Sequence, residues 1–213
     1  MDIRFKEIYD AIVGWDKELL PFTKKMKWEN YTMVGVLADY TLYYTDGVVL
    51  EIGMGCSSVY LDKVAEKYNR QAFYCDIQGN GFNAALTVPG YFREDKTKSV
   101  IYIGSSDSFF QNQKLPKIAF AFVDGDHSYE QVKKDFFNIN NILQDNGLIC
   151  LHDTYPPHED YLSEGQCGSS YKFRQELEKD NRFDVFTFPL TVAKGVGLTM
   201  IRRKGVNLPF YQE

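Results

Sequence analysis

The stretch Val48-Val49-Leu50-Glu51-Ile52-Gly53-Met54-Gly55-Cys56-Ser57-Ser58 decides the architecture of this chain. It opens on an apolar run, β-branched at Val48, Val49 and Ile52, which suits a strand buried on both faces. Glu51 interrupts the run, and Gly53 and Gly55 turn the chain. Ser57 or Ser58 is then placed to cap a helix continuing through Val59, Leu61, Val64, Ala65 and Tyr68. Strand, glycine turn and helix together bring a nucleotide-like ligand against bare backbone and a helix N-terminus. Glycine at 53 and 55 leaves no Cβ to hold such a ligand away.

The loop discriminates among nucleotides. A dinucleotide fingerprint requires a third glycine or alanine where this chain has Ser58, and no Lys follows the glycines as a P-loop demands. Glu51 would repel a pyrophosphate and suits a ligand carrying a cationic group.

Working outward, Asn30 to Tyr44 reads as a helix with Met33, Val36, Leu37, Tyr40 and Tyr44 on one face, and residues 3–20 as another. Ala72 to Asp76 is a second strand ending in an acid. Asp76 stands where a carboxylate accepts hydrogen bonds from a ribose diol. Residues 78–98, broken by glycines and a proline, predict a long irregular excursion. Ser99 to Ile103 is a third strand, followed by a polar loop through Ser106 and Asp107.

The second informative stretch is Ile118-Ala119-Phe120-Ala121-Phe122-Val123-Asp124-Gly125-Asp126-His127-Ser128-Tyr129. An apolar strand ends in Asp-Gly-Asp-His, and Ser128 with Gln131 forms a capping box for the next helix. Tyr129, Val132, Phe136, Ile139 and Leu143 give that helix its buried face, and Asn146-Gly147 reads as its end. Leu148 to Leu151 is a fifth strand that finishes in His152-Asp153. In a doubly wound sheet the C-terminal strand ends share one edge. Glu51, Asp76, Asp124, His127, His152 and Asp153 are therefore expected to converge. Residues 154–169, polar and rich in glycine and proline, read as a mobile lid, with 78–98 as a second wall. A helix over 170–178 and strands over 183–188 and 196–202 close the chain as a hairpin.

Composition bounds the rest. The 213 residues fit a single domain, divided into N-terminal helices (1–46) and a core (47–213). A formal net charge of −5 argues against general binding to nucleic acid or to an anionic membrane. No apolar run approaches the ~18 residues of a membrane span. The charged N-terminus does not resemble a signal peptide, so a cytoplasmic location is expected. Cys56, Cys75, Cys150 and Cys167 are scattered without metal-binding spacing and read as free thiols, mostly buried.

Glu51-Ile52-Gly53-Met54-Gly55, Asp76, Phe122 to Tyr129 and Gly147 to Asp153 together resemble a class I S-adenosylmethionine-dependent methyltransferase. More narrowly, D-G-D-H-S-Y with a following H-D is similar to the metal-dependent small-molecule group that includes macrolide-sugar O-methyltransferases and cephalosporin-hydroxylase-like proteins. The resemblance implies an α/β, Rossmann-like doubly wound sheet of seven strands, mostly parallel with the last antiparallel. It implies S-adenosylmethionine over Gly53, Met54 and Gly55, with Glu51, Ser57, Ser58, Asp76, Ser106, Asp107 and Asp124 around it. It also implies Mg²⁺ or Mn²⁺ at Asp124, His152 and Asp153, with His152 departing from the all-oxygen pattern of some relatives. The expected reaction is methyl transfer to a hydroxyl of a small molecule, with His127 as general base and Asp124 beside it. A homo-oligomer is compatible with this reading. An NAD-dependent oxidoreductase, or a silent nucleotide-binding module on the same fold, is the alternative.

Overall fold

The computed structural model describes residues 29–78, 99–163, 165–189 and 196–205. The helix expected over 3–20, the excursion after residue 78 and most of the turn joining the last two strands lie outside the described residues. In chain order the elements are α1 (Glu29–Tyr44), β1 (Val48–Ile52), α2 (Ser57–Lys67), β2 (Ala72–Asp76) and β3 (Ser99–Ile103). There follow α3 (Ser106–Asn112), β4 (Ile118–Val123), α4 (Tyr129–Ile142) and β5 (Leu143–His152). A short 3₁₀ turn (Glu159–Leu162), α5 (Ser170–Leu177), β6 (Phe183–Phe188) and β7 (Leu198–Arg203) complete the chain.

The strands form one sheet in the order β3-β2-β1-β4-β5-β7-β6. All neighbours from β3 to β5 pair in parallel, whereas β7 runs antiparallel to both β5 and β6. The order reverses between β1 and β4, and in such sheets ligands bind at this switch point, beyond the C-terminal strand ends.

Strand periodicity sorts the core into two layers. Val48, Leu50, Ile52, Ala121, Val123, Ile149 and Leu151 face Phe109 of α3, Val132, Phe136 and Ile139 of α4, and Phe173 and Leu177 of α5. Val49, Ala72, Tyr74, Phe122, Leu148 and Cys150 face Val34, Ala38 and Leu42 of α1 and Leu61, Val64 and Ala65 of α2. Every residue of β1 and β4 is buried, as strands covered on both sides must be. The thiols of Cys75, Cys150 and Cys167 are buried and Cys56 is half-buried, all unbridged.

Three local expectations change. The face that α1 buries most deeply is Val34, Ala38, Thr41 and Leu42; of the expected face, Met33 and Leu37 pack partly against the core, and Tyr40 lies outside. The loop after β3 is instead a helix, α3, capped by the Ser105 side chain accepting from the Ser108 amide. Finally, α4 ends at Ile142, not at Asn146-Gly147. Leu143 is drawn into the core against Ile118, and the register then slips before Phe120 pairs with Leu148. Gly147 belongs to that bulge: a Cβ there would meet the Leu143 side chain at 2.7 Å.

Candidate functional site

Two groups of polar residues stand at the C-terminal edge of the sheet. The first surrounds the glycine turn. Glu51 is wholly buried, and Ser57 and Ser58 each donate a hydroxyl to one of its oxygens, Ser58 at 2.5 Å. Neither serine caps α2, contrary to expectation. Cys56 occupies the cap position without a side-chain bond, because the hydroxyls are spent on the buried carboxyl. Burial pushes the Glu51 carboxyl up to about 8 against the pull of both serines. The Gly55 amide closes the turn by donating to Ser58 Oγ at 3.1 Å.

Asp76 accepts from the Met54 amide at 3.0 Å with one oxygen and from the Gln78 amide at 2.9 Å with the other. It therefore ties the turn to the end of β2. The two glycines differ in kind. Gly53 has φ +86°, and a Cβ there would lie 2.1 Å from the Asp124 carbonyl oxygen, so the fold itself requires glycine. At Gly55 a Cβ would meet nothing within 4 Å. The space over Gly55 is open to a ligand.

Ser106 and Asp107 begin α3 and are bound to α4. Gln131 Nε2 donates to Ser106 Oγ at 2.9 Å, and the Lys134 ammonium pairs with Asp107 at 2.5 Å. The Lys134 partner holds the Asp107 carboxyl below its usual range. The capping box is half formed: Ser128 accepts from the Gln131 amide, but the Ser128 amide donates to Asp126 at 2.7 Å.

The second group joins the ends of β4 and β5. His152 Nδ1 lies 3.0 Å from Asp124 Oδ1 and 3.1 Å from Asp153 Oδ1. His127 Nε2 lies 3.4 Å from Asp124 Oδ1 and 3.7 Å from Asp153 Oδ2. Burial opposes ionisation of Asp124, yet the imidazoles of His152 and His127 hold its carboxyl well below the ordinary range. Burial likewise lowers His152, but the adjoining carboxylates of Asp124 and Asp153 win and raise it to about 10. His127 is raised in the same way. Asp153 sits at φ +53°, a left-handed conformation uncommon away from glycine and enriched at functional sites.

His127 Nδ1 contacts the Gln166 carbonyl oxygen. A carbonyl only accepts, so Nδ1 carries the hydrogen and Nε2 is the atom left to exchange a proton. The segment 165–169 folds over this histidine: the Ser169 amide donates to the His127 carbonyl at 2.9 Å, and a Cβ at Gly168, whose φ is +51°, would lie 2.6 Å from that oxygen. A cavity of about 660 Å³ opens beside it, lined by Asp126, His127, Ser128, Leu162, Ser169 and Lys172 among others. That volume suits a small molecule.

Sequence reasoning missed Tyr31. From α1, its ring stacks on His152 with centroids 5.6 Å apart and planes 27° apart, and its hydroxyl lies 3.5 Å from Asp124 Oδ2. Gln166 was missed as well, because a backbone carbonyl leaves no mark in a sequence.

Asp124, His152 and Asp153 can each offer one ligand atom, all within 4.8 Å of one another. His152 Nε2 is buried without a hydrogen-bond partner, and Asp153 Oδ1, also buried, has the His152 ring nitrogen at 3.1 Å as its contact. Two carboxylates and an imidazole converging in this way fit a divalent cation of the Mg²⁺ or Mn²⁺ type. The open backbone at Gly55 and the acids at 51 and 76 fit a cofactor at the turn.

A family model described as a methyltransferase domain matches residues 50–154, which span both groups. A search of the curated proteins finds no match. Among solved structures, an O-methyltransferase from Bacillus cereus in complex with S-adenosylhomocysteine aligns with a TM-score of 0.64 at 15% identity, covering 96% of this chain and 92% of that one. The O-methyltransferase TomG from Streptomyces achromogenes, involved in tomaymycin synthesis and bound to S-adenosylmethionine, aligns with a TM-score of 0.62 at 14% identity, covering 83% and 80%. The S-adenosylhomocysteine-bound methyltransferase PaMTH1 of Podospora anserina aligns with a TM-score of 0.58 at 19% identity, covering 92% and 88%. At such identities the likeness is one of fold. Matched family model, strand order and acid-and-glycine turn agree: the chain carries a methyltransferase domain of the class I, S-adenosylmethionine-dependent type.

Proposed function

We propose that this methyltransferase acts on a hydroxyl oxygen of a small molecule, with a divalent cation at Asp124, His152 and Asp153 and with His127 as the base. The observation that carries the reading is the juxtaposition of His127 Nε2 with the Asp124 and Asp153 carboxylates, which together with His152 can bring ligand atoms within 4.8 Å of one another. The sulfonium cofactor supplies an electrophilic methyl, and a divalent cation makes a coordinated hydroxyl more acidic.

The chain's own residues do the rest. Gly53 to Gly55 presents backbone to the cofactor, while Glu51 keeps a carboxyl buried behind the turn. Asp76, already ordering that turn, is the candidate for the ribose. Asp107, although paired with Lys134, stays a candidate for the base of the cofactor. His127 is oriented by Gln166, so the proton leaving the hydroxyl is accepted at Nε2. In the structure the neighbouring carboxylates favour its protonated form, so neutralising their charge is what frees it. The cavity beside His127 and the segment over it suit an acceptor held away from water.

An oxygen acceptor is favoured because a hard cation activates hydroxyls, whereas a neutral amine attacks without prior deprotonation. The matched family disfavours the NAD-dependent alternative. Among the described residues no helix is long and apolar enough to cross a membrane. Together with four unbridged cysteines, this supports our placing the enzyme in the cytoplasm. The test is calorimetry with S-adenosylhomocysteine and with NADH, followed by methyl transfer from labelled S-adenosylmethionine to a panel of hydroxylated glycosides and phenols, with Mg²⁺ or with EDTA. Heat with S-adenosylhomocysteine alone and Mg²⁺-dependent labelling support the reading. Binding of NADH alone, or full labelling in EDTA, overturns it.

A further inference from the structure

We infer that Tyr31 is a positioning residue for the strand-end cluster: it fixes the ring of His152 so that Nδ1 faces Asp124 and Asp153. The inference rests on the cation site proposed above. The family match begins at residue 50, so it assigns nothing to α1.

Three aromatic rings meet at this point. Tyr31 stacks on His152 with centroids 5.6 Å apart, Phe122 meets His152 at 67° and 5.9 Å, and Tyr31 meets Phe122 edge-on at 6.5 Å. Phe122 is wholly buried on β4 two residues before Asp124, so it gives the other two rings a fixed wall. An imidazole can turn over about its Cβ–Cγ bond, which would exchange Nδ1 for a carbon and take from Asp124 Oδ1 its 3.0 Å partner. A ring held by stacking keeps the nitrogen where it is.

Tyr31 also reaches the carboxylate it helps to align. Its hydroxyl lies 3.5 Å from Asp124 Oδ2, while His152 and His127 stand at Oδ1. Both oxygens of Asp124 are thus oriented, one of them from α1, the helix that precedes β1. The stack is the stronger of the two contacts, since the hydroxyl distance is long for a hydrogen bond. Removing the ring therefore has a larger consequence than removing the hydroxyl alone.

The test uses the full chain and the variants Tyr31→Phe, Tyr31→Leu and Tyr31→Met. Nitrogen NMR of ¹⁵N-histidine-labelled protein without metal reads the environment of the His152 ring, and Mn²⁺ titration followed by electron paramagnetic resonance reads the site. Tyr31→Phe is expected to keep the His152 signals near those of the parent. Tyr31→Leu is expected to shift them and to weaken Mn²⁺ binding about 10- to 100-fold, the usual effect of losing a group that orients a metal ligand. Affinity for S-adenosylhomocysteine and the melting temperature should stay close to the parent values, which a merely structural role would not allow. Unchanged His152 signals and Mn²⁺ affinity in Tyr31→Leu would overturn the proposal. If that variant fails to fold, Tyr31→Met, closer in volume, is judged by the same two criteria. If the parent itself takes up no Mn²⁺, the cation reading fails, and the NMR signals alone decide whether Tyr31 holds the ring.

Discussion

The glycine turn and the strand-end cluster lie on one sheet edge, yet they differ in how complete they are. At the turn, both oxygens of Glu51 are met by serine hydroxyls and both oxygens of Asp76 by backbone amides. At the cluster, carboxylates and imidazoles crowd together, Asp124 and Asp153 share the single nitrogen His152 Nδ1, and His152 Nε2 remains without a partner in the interior. A finished hydrogen-bond set is a preformed surface for a ligand to lie on. An unfinished one is a place where something must be bound, since orphaned buried polar atoms are costly. Under the function proposed above, the contrast separates the region that would hold the cofactor from the region that would carry the chemistry.

The largest effects should come from the two glycines. Gly55→Val is expected to abolish the calorimetric signal of S-adenosylhomocysteine with little change in melting temperature, because its side chain enters open space. Gly53→Val is expected to compromise folding, because its Cβ would overlap the Asp124 carbonyl. Similar melting temperatures and similar binding in both variants would erase the distinction.

Next comes His127. Loss of a positioned base costs on the order of 10²–10⁴ in rate, so His127→Ala should lower kcat by about that range with S-adenosylhomocysteine affinity unchanged. If kcat survives across neutral pH, the proton is taken elsewhere, and the cluster is a binding device only.

How much of this contrast the sequence carries follows from where the signals lie. Apolar runs ending in Glu51, Asp76, Asp124 and His152-Asp153 are local, and strand topology then gathers them on one edge without further information. The anchors are a different matter. Tyr31 approaches Asp124 across 93 positions, and no periodicity marks a tyrosine as facing a histidine on another element. The serines at 57 and 58 carry a capping signal that the buried Glu51 overrides. Helix α3 was read as a loop because seven residues with two serines and an acid offer little apolar period. Asn146-Gly147 signals a turn either way, and only the pairing of Leu143 with Ile118 makes it a bulge.

A smaller effect concerns pH. Glu51 has a folded-state value raised to about 8, so the native state holds its proton more tightly than the unfolded chain. Its contribution is then fully present below the unfolded carboxyl range near 4.5 and is lost as pH rises towards 8. Glu51→Gln should remove that part of the fall in stability, which chemical denaturation at pH 5 and at pH 8 would show. A variant that loses as much stability as the parent over the same interval would mean that Glu51 is ionised throughout.

The smallest expected effect is at Asp107. Its pairing with Lys134 is surface-exposed, so Lys134→Ala should cost under about 1 kcal/mol. If Asp107 also contacts the cofactor, Asp107→Asn will weaken S-adenosylhomocysteine binding while Lys134→Ala does not. Equal, near-parent affinities in both variants would confine Asp107 to joining α3 with α4.

The central claim is that the unfinished cluster is a divalent-cation site next to a methyl donor, and Mn²⁺ titration monitored by electron paramagnetic resonance tests it most directly. The parent chain is expected to bind Mn²⁺ at a single saturable site, and Asp124→Asn and Asp153→Asn are each expected to lose it while still binding S-adenosylhomocysteine. No saturable uptake by the parent, or the same uptake by both variants, would contradict the account.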